Sequence, residues 1–163
     1  MNATTFIEAK SAALVRMGET VLLRQTETAR SVVGSCAGLM IYHRRLKLAA
    51  VAHIVLPEAA GRSGSPGKFA DTAIPHMIDL LRREGAERVS LIAKVAGGAQ
   101  MFGAAGPLQI GDANVRAVTA ILTDFGIPLQ AKSVGGAKGR KLTFYSDRGE
   151  ITVEVAGETP FIL

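Results

Sequence analysis

Two apolar runs, Ala37 to Tyr42 and Leu46 to Leu56, meet at a charged corner made by His43, Arg44 and Arg45, and this pairing limits the fold more than any other stretch of the chain. Both runs are extended in character and the corner has the composition of a turn, so together they predict a β-hairpin. The stretch from Leu48 to Leu56 is about half the length that crosses a bilayer and carries His53 in its middle, which makes it core and not a membrane span. At 163 residues the chain has the size of one domain, and its 48% hydrophobic and 20% charged composition supports a core. One domain over residues 1–163 is expected, with 1–13 as a flexible N-terminal segment.

Gly61 to Lys68, rich in Gly, Ser and Pro, reads as a mobile surface loop between two patterned halves. Beyond it, Ala70, Ala73, Ile74, Met77, Ile78 and Leu81 have helical spacing and predict a helix over Phe69 to Glu84. Pro75 either marks the start of this helix or kinks its first turns. Val89 to Val95 predicts a short strand ahead of the glycine-rich stretch Gly97 to Gly103. A second helix is predicted from Asp112, its cap, to Phe125, with Gly126 ending it. Leu129 to Val134, Lys141 to Tyr145 and Glu150 to Val155 alternate as strands, the last two joined by a turn at Ser146 to Gly149. The class is mixed α and β, with an antiparallel sheet and two main helices.

A formal net charge of +5 invites a nucleic-acid reading, and its distribution argues against one. Lys and Arg fall in scattered pairs such as Arg44-Arg45, Arg82-Arg83 and Arg140-Lys141, and aromatics are only 5% with no Trp, so no stacking strip accompanies a basic run. A diffuse positive field suits an acidic protein partner equally well. The N-terminus carries Glu8 and no apolar stretch behind a basic start, so no secretory signal is expected and the chain reads as cytoplasmic. The single cysteine, Cys36, has no partner for an intramolecular disulfide, in keeping with a reducing compartment.

A hydrolytic cysteine needs a thiol, a nearby imidazole and donors for an oxyanion. Cys36 follows Gly34 and Ser35, small residues that leave backbone N–H groups open to a substrate carbonyl. If Arg44 and Arg45 are the two residues of a tight turn, positions summing to 89 face each other across the hairpin, which sets Cys36 opposite His53. A three-residue turn would put the two on opposite faces. Taken singly, a lone Cys and a His in an apolar strand are each ordinary core residues. His43 at the corner and His76 on the first helix read as surface residues, and Lys94 as a solvated edge residue. No metal is expected, since neither Cys-x-x-Cys nor a His pair at i and i+4 occurs. Gly135 to Arg140 lacks the order of a phosphate cradle and reads as a tight connection between strands.

Several segments in series resemble the chemoreceptor glutamine deamidase family, CheD: Met17-Gly18-Glu19, Gly34-Ser35-Cys36, Ala52-His53-Ile54-Val55-Leu56-Pro57 and Gly85-Ala86. They continue with Ala93-Lys94, Gly97-Gly98-Ala99-Gln100-Met101-Phe102, Ile110-Gly111-Asp112-Ala113-Asn114, and Gly135-Gly136 with Gly139-Arg140. The resemblance implies a three-layer α/β/β sandwich, Cys36 and His53 as the catalytic pair, and Gly34 and Ser35 beside the substrate. It implies hydrolysis of glutamine side-chain amides on the cytoplasmic helices of chemotaxis receptors, without a cofactor, and a CheC-like phosphatase as partner. The family's usual run before the cysteine is Thr-Leu-Gly-Leu-Gly-Ser-Cys; here Arg30 stands at the threonine, Val32 at the first glycine, and Ala96 where an aromatic is common. Ser31, Thr28 or a backbone carbonyl is left to orient His53, and Ser31 is taken as the third catalytic candidate. The alternative is a non-catalytic adaptor that binds a CheC-like phosphatase or receptor helices through the same surface.

Overall fold

The computed structural model describes residues 11–101 and 109–163. Of the N-terminal stretch 1–13, residues 1–10 lie outside these, and Ala13 already belongs to a strand; Phe102 and Gly103 of the glycine-rich stretch also lie outside. The elements in chain order are β1 (Ala13–Leu14), β2 (Thr20–Arg24), β3 (Thr28–Val33), β4 (Ala37–His43), β5 (Leu48–Ile54) and α1 (Ala70–Arg83). They continue with β6 (Ile92–Gly97), α2 (Ile110–Asp124), β7 (Leu129–Val134), β8 (Arg140–Tyr145), β9 (Glu150–Glu154) and β10 (Phe161–Ile162).

The strands form two five-stranded sheets, β2-β5-β4-β6-β7 and β1-β3-β8-β9-β10. Pairing is mainly antiparallel, and each sheet carries one parallel pair, β6 with β7 and β1 with β3. Every residue of β4 and β5 is buried because the first sheet is covered on both faces. Leu39, Ile41, Ala50, Ala52 and Ile54 point into the layer of α1 and α2, against Ile74, Met77, Leu81, Val118 and Leu122. Met40, Tyr42, Ala49 and Val51 point the other way, against Leu142, Phe144, Ile151 and Val153 of the second sheet. The result is a three-layer α/β/β sandwich whose middle layer is the hairpin's sheet.

α1 starts at Ala70 and runs through Pro75, so the proline does not mark its start. Ala73 N–H donates to Phe69 O at 2.7 Å, which closes the first turn, and Pro75 leaves Asp71 O without its helical donor. α2 begins at Ile110 with Gln109 as the flanking residue, so Asp112 lies inside the first turn and is not the cap. Its carboxylate instead pairs with Arg116 at 3.1 Å. Arg88–Ser90 is a 3₁₀ turn, and the strand predicted from Val89 begins only at Ile92. The loop read as mobile is pinned at its C-terminal end: Ser65 Oγ donates to Gly18 O at 2.6 Å, and Lys68 O accepts the N–H groups of Val55 and Leu56. Among the described residues no helix is long and apolar enough to cross a membrane.

Candidate active site

The hairpin exists, with a different register. Arg44–Lys47 form a four-residue turn, Lys47 adopts φ 51°, and facing residues sum to 91, as His43 with Leu48 and Gly38 with His53. His53 therefore faces Gly38 and not Cys36. A shift of two positions preserves the side of the sheet. Cys36, just before β4, and His53 on β5 both lie on the face that meets the second sheet, one step apart along the diagonal. Among the described residues no hydrogen bond joins the two. Diagonal neighbours of this kind remain within reach of long side chains, and catalytic contacts in a site without substrate are commonly loose.

His53 is held by its Nδ1 edge. Ser31, on β3 of the second sheet, brings its Oγ to 2.9 Å from Nδ1, and the Val15 carbonyl lies at 3.3 Å. The Ser31 hydroxyl itself donates to Val15 O at 2.7 Å, so its lone pair is left to accept the proton on Nδ1. This fixes the tautomer with Nε2 as the free base, and Nε2 has no hydrogen-bond partner among the described residues. The backbone of His53 is tied as well, N–H to Glu19 O at 3.1 Å and O from Gly18 N–H at 2.8 Å. Burial pushes the imidazole below its ordinary range, opposed by the Val15 carbonyl and the Glu19 charge. Burial also pushes the Cys36 thiol up. Both shifts favour the neutral forms, a thiol and an unprotonated imidazole.

The loop that carries the thiol has its carbonyls committed. Gly34 O accepts from Ala99 N–H at 2.9 Å, Ser35 O from Asn114 Nδ2 at 3.0 Å, and Cys36 O from Gly98 N–H at 2.9 Å. The N–H groups of Ser35 and Cys36 donate to no described residue. Gly97 permits this arrangement, since its φ is +125° and a Cβ there would collide with Cys36 O. Arg140 braces the same corner, donating to Ser133 Oγ, Gly97 O and Gly135 O.

Of the candidates for orienting His53, the structure brings Ser31 and the Val15 carbonyl to it. Alternation along β3 sends Ala29, Ser31 and Val33 inward and leaves Arg30 and Val32 exposed, with Thr28 on that same outward side. His43, read as a surface residue, is buried, and its Nδ1 accepts Leu46 N–H at 3.2 Å inside the turn. Lys94, read as solvated, is only 8% exposed, with Nζ 5.6 Å from the Tyr42 ring centroid. His76 on α1 is half-buried. Val15 was not named by sequence reasoning, and Asn114 only as the end of a matching segment, with no role. A carbonyl leaves no side-chain signal, whereas Asn114 is a polar residue on the apolar stripe of α2, which is a signal.

Comparison with known proteins identifies the family. The family model described as CheD chemotactic sensory transduction matches residues 55–155. The chain belongs to the CheD family. Relatives include the "Probable chemoreceptor glutamine deamidase CheD" of Archaeoglobus fulgidus, 34% identical over 86% of this chain and 91% of that one. The "Chemoreceptor glutamine deamidase CheD" of Thermotoga maritima is 39% identical over 77% of this chain and 79% of that one. Among solved structures, the Bacillus licheniformis hypothetical protein YfiH aligns with a TM-score of 0.48 at 15% identity, over 71% of this chain and 49% of that one. Arg30, where the resemblance led us to expect a threonine, faces outward, and the hydroxyl beside His53 is that of Ser31.

Proposed function

We propose that the chain is a protein-glutamine deamidase that hydrolyses glutamine side-chain amides on chemotaxis receptors, with Cys36 as nucleophile and His53 as base. The observation that carries this reading is the Ser31–His53 hydrogen bond, which leaves Nε2 free on the side of the sheet shared with the only cysteine. The names of the curated relatives support the substrate.

The chemistry starts from the neutral pair. His53 Nε2 takes the thiol proton as Cys36 Sγ bonds to the amide carbon, and the carbonyl π electrons move to oxygen. The N–H groups of Ser35 and Cys36, which donate to no described residue, receive that oxyanion. Collapse reforms the carbonyl and breaks the C–N bond, with the His53 proton leaving on ammonia. A water then gives its proton to His53 and adds to the thioester. The second oxyanion collapses, the C–S bond breaks, and Sγ regains the proton. Glutamine and water become glutamate and ammonium, and no cofactor is consumed.

The partner expected alongside the receptor is a CheC-like phosphatase. The test is mass spectrometry of a receptor cytoplasmic fragment incubated with the native protein and with Cys36→Ala. A gain of about 1 Da at particular glutamines with the native protein only is the amide-to-acid change that thiol attack and hydrolysis produce. A fragment that binds both proteins and gains no mass from either would instead make the chain an adaptor.

A further inference from the structure

Asn114 on α2 is completely buried, yet only half of its hydrogen-bonding capacity is used. Its Nδ2 donates to two carbonyls from different parts of the site, Ser35 O at 3.0 Å and Val55 O at 3.0 Å. Its Oδ1 is buried and accepts from nothing among the described residues. Flipping the amide would turn an oxygen toward two carbonyl oxygens, so the orientation is chemically determined. A buried polar group with an unmet acceptor is a poor choice for packing α2, where a leucine would serve. Violations of this kind concentrate where function demands them.

The demand is visible in the peptide that Asn114 holds. The carbonyl of Ser35 and the N–H of Cys36 belong to one planar trans unit and point in opposite directions. Drawing Ser35 O toward α2 therefore aims Cys36 N–H away from α2. Val55 O, the second acceptor, lies two residues beyond His53, so one side chain ties the nucleophile loop to the end of β5. The helix is seated closely enough for this by Gly111, where a Cβ would come within 2.5 Å of Ala99 O and 2.6 Å of Gly98 O.

We propose that Asn114 is a positioning residue that preorganises the oxyanion site by holding the Ser35–Cys36 peptide, an inference that rests on Cys36 being the deamidase nucleophile. Its effect on the oxyanion runs through that peptide, and its second bond, to Val55 O, anchors the amide. Losing an oxyanion donor costs about 10²- to 10³-fold in kcat, whereas alkylation of a thiol by iodoacetamide builds no oxyanion.

The test compares native protein with Asn114→Leu, which removes both donors at similar volume. The expected result is a fall in kcat of about 10²-fold on a receptor fragment, with KM and the rate of Cys36 alkylation each within about twofold of native. Cys36 N–H should also shift in the ¹⁵N–¹H spectrum and change its exchange rate. An unchanged kcat, or alkylation falling in step with kcat, would overturn the proposal. If Asn114→Leu does not fold, Asn114→Ala removes both donors without adding bulk. Should neither fold, Asn114 serves the fold and the proposal fails. A native protein that deamidates no fragment refutes the deamidase reading separately, and the Cys36 N–H resonance still reports whether Asn114 holds the peptide.

Discussion

At the scale of single residues, the proposed mechanism rests on the orientation of His53 and on a neutral pair. Ser31→Ala removes the closer acceptor of the His53 Nδ1 proton and leaves Val15 O at 3.3 Å to hold the ring less well. We expect kcat to fall about tenfold with KM little changed, against about 10²- to 10⁴-fold for His53→Ala, which removes the base itself. Steady-state kinetics on a receptor fragment checks both. The pH dependence follows from the two directions of shift. His53 must be unprotonated to act, and burial lowers its pKa, so kcat/KM should hold as pH falls through about 6.5 and drop only below it. The Cys36 thiol is raised, so alkylation by iodoacetamide should be slow at neutral pH and accelerate only above the ordinary thiol range. A thiolate already formed at pH 7 would show the opposite, fast alkylation that is flat with pH.

At the scale of elements, the long periodic segments were legible and the couplings between them were not. The stripe from Ala70 to Leu81 predicted α1, and the two apolar runs predicted the β4–β5 hairpin. The register was lost because Lys47 adopts a left-handed conformation that a lysine does not advertise, which makes the turn four residues long. β3 was missed because its inward residues, Ala29, Ser31 and Val33, are too small and too polar to stand out as an apolar alternation. The pairing of Cys36 and His53 on one face was nonetheless legible, since a shift of two residues preserves the side. What no local pattern carries is the approach of Val15 O, Ser31 and Asn114, each set by another sheet or by a helix. Pro75 gives this scale its own prediction. It is exposed and leaves Asp71 O without a helical donor, so Pro75→Ala should restore that bond. The bond gained, less the restraint lost from the unfolded chain, should stabilise by about 1 kcal/mol, or about 2 to 4 °C in Tm for a chain of this size. Thermal unfolding followed by circular dichroism measures this, and a lower Tm would mean that the ring itself packs usefully.

At the scale of the whole molecule, the three layers divide the labour of the site. The middle sheet carries Cys36 at the entrance to β4 and His53 on β5. The second sheet supplies Ser31, and β1's extension supplies the Val15 carbonyl. The helical layer supplies Asn114, which ties the nucleophile loop to the end of β5. A thiol, an imidazole with a set tautomer and two N–H groups that donate to no described residue thus depend on all three layers being assembled. That the thiol bonds covalently to the glutamine carbon is the central claim, and trapping the intermediate tests it most directly. Native protein mixed with a receptor fragment and quenched in acid during turnover should show, by intact-mass measurement, a species equal to protein plus fragment less about 17 Da, the ammonia lost on forming a thioester. Peptide mapping should place it on Cys36. Deamidation that proceeds with no such species, and that survives in Cys36→Ala, would contradict the account.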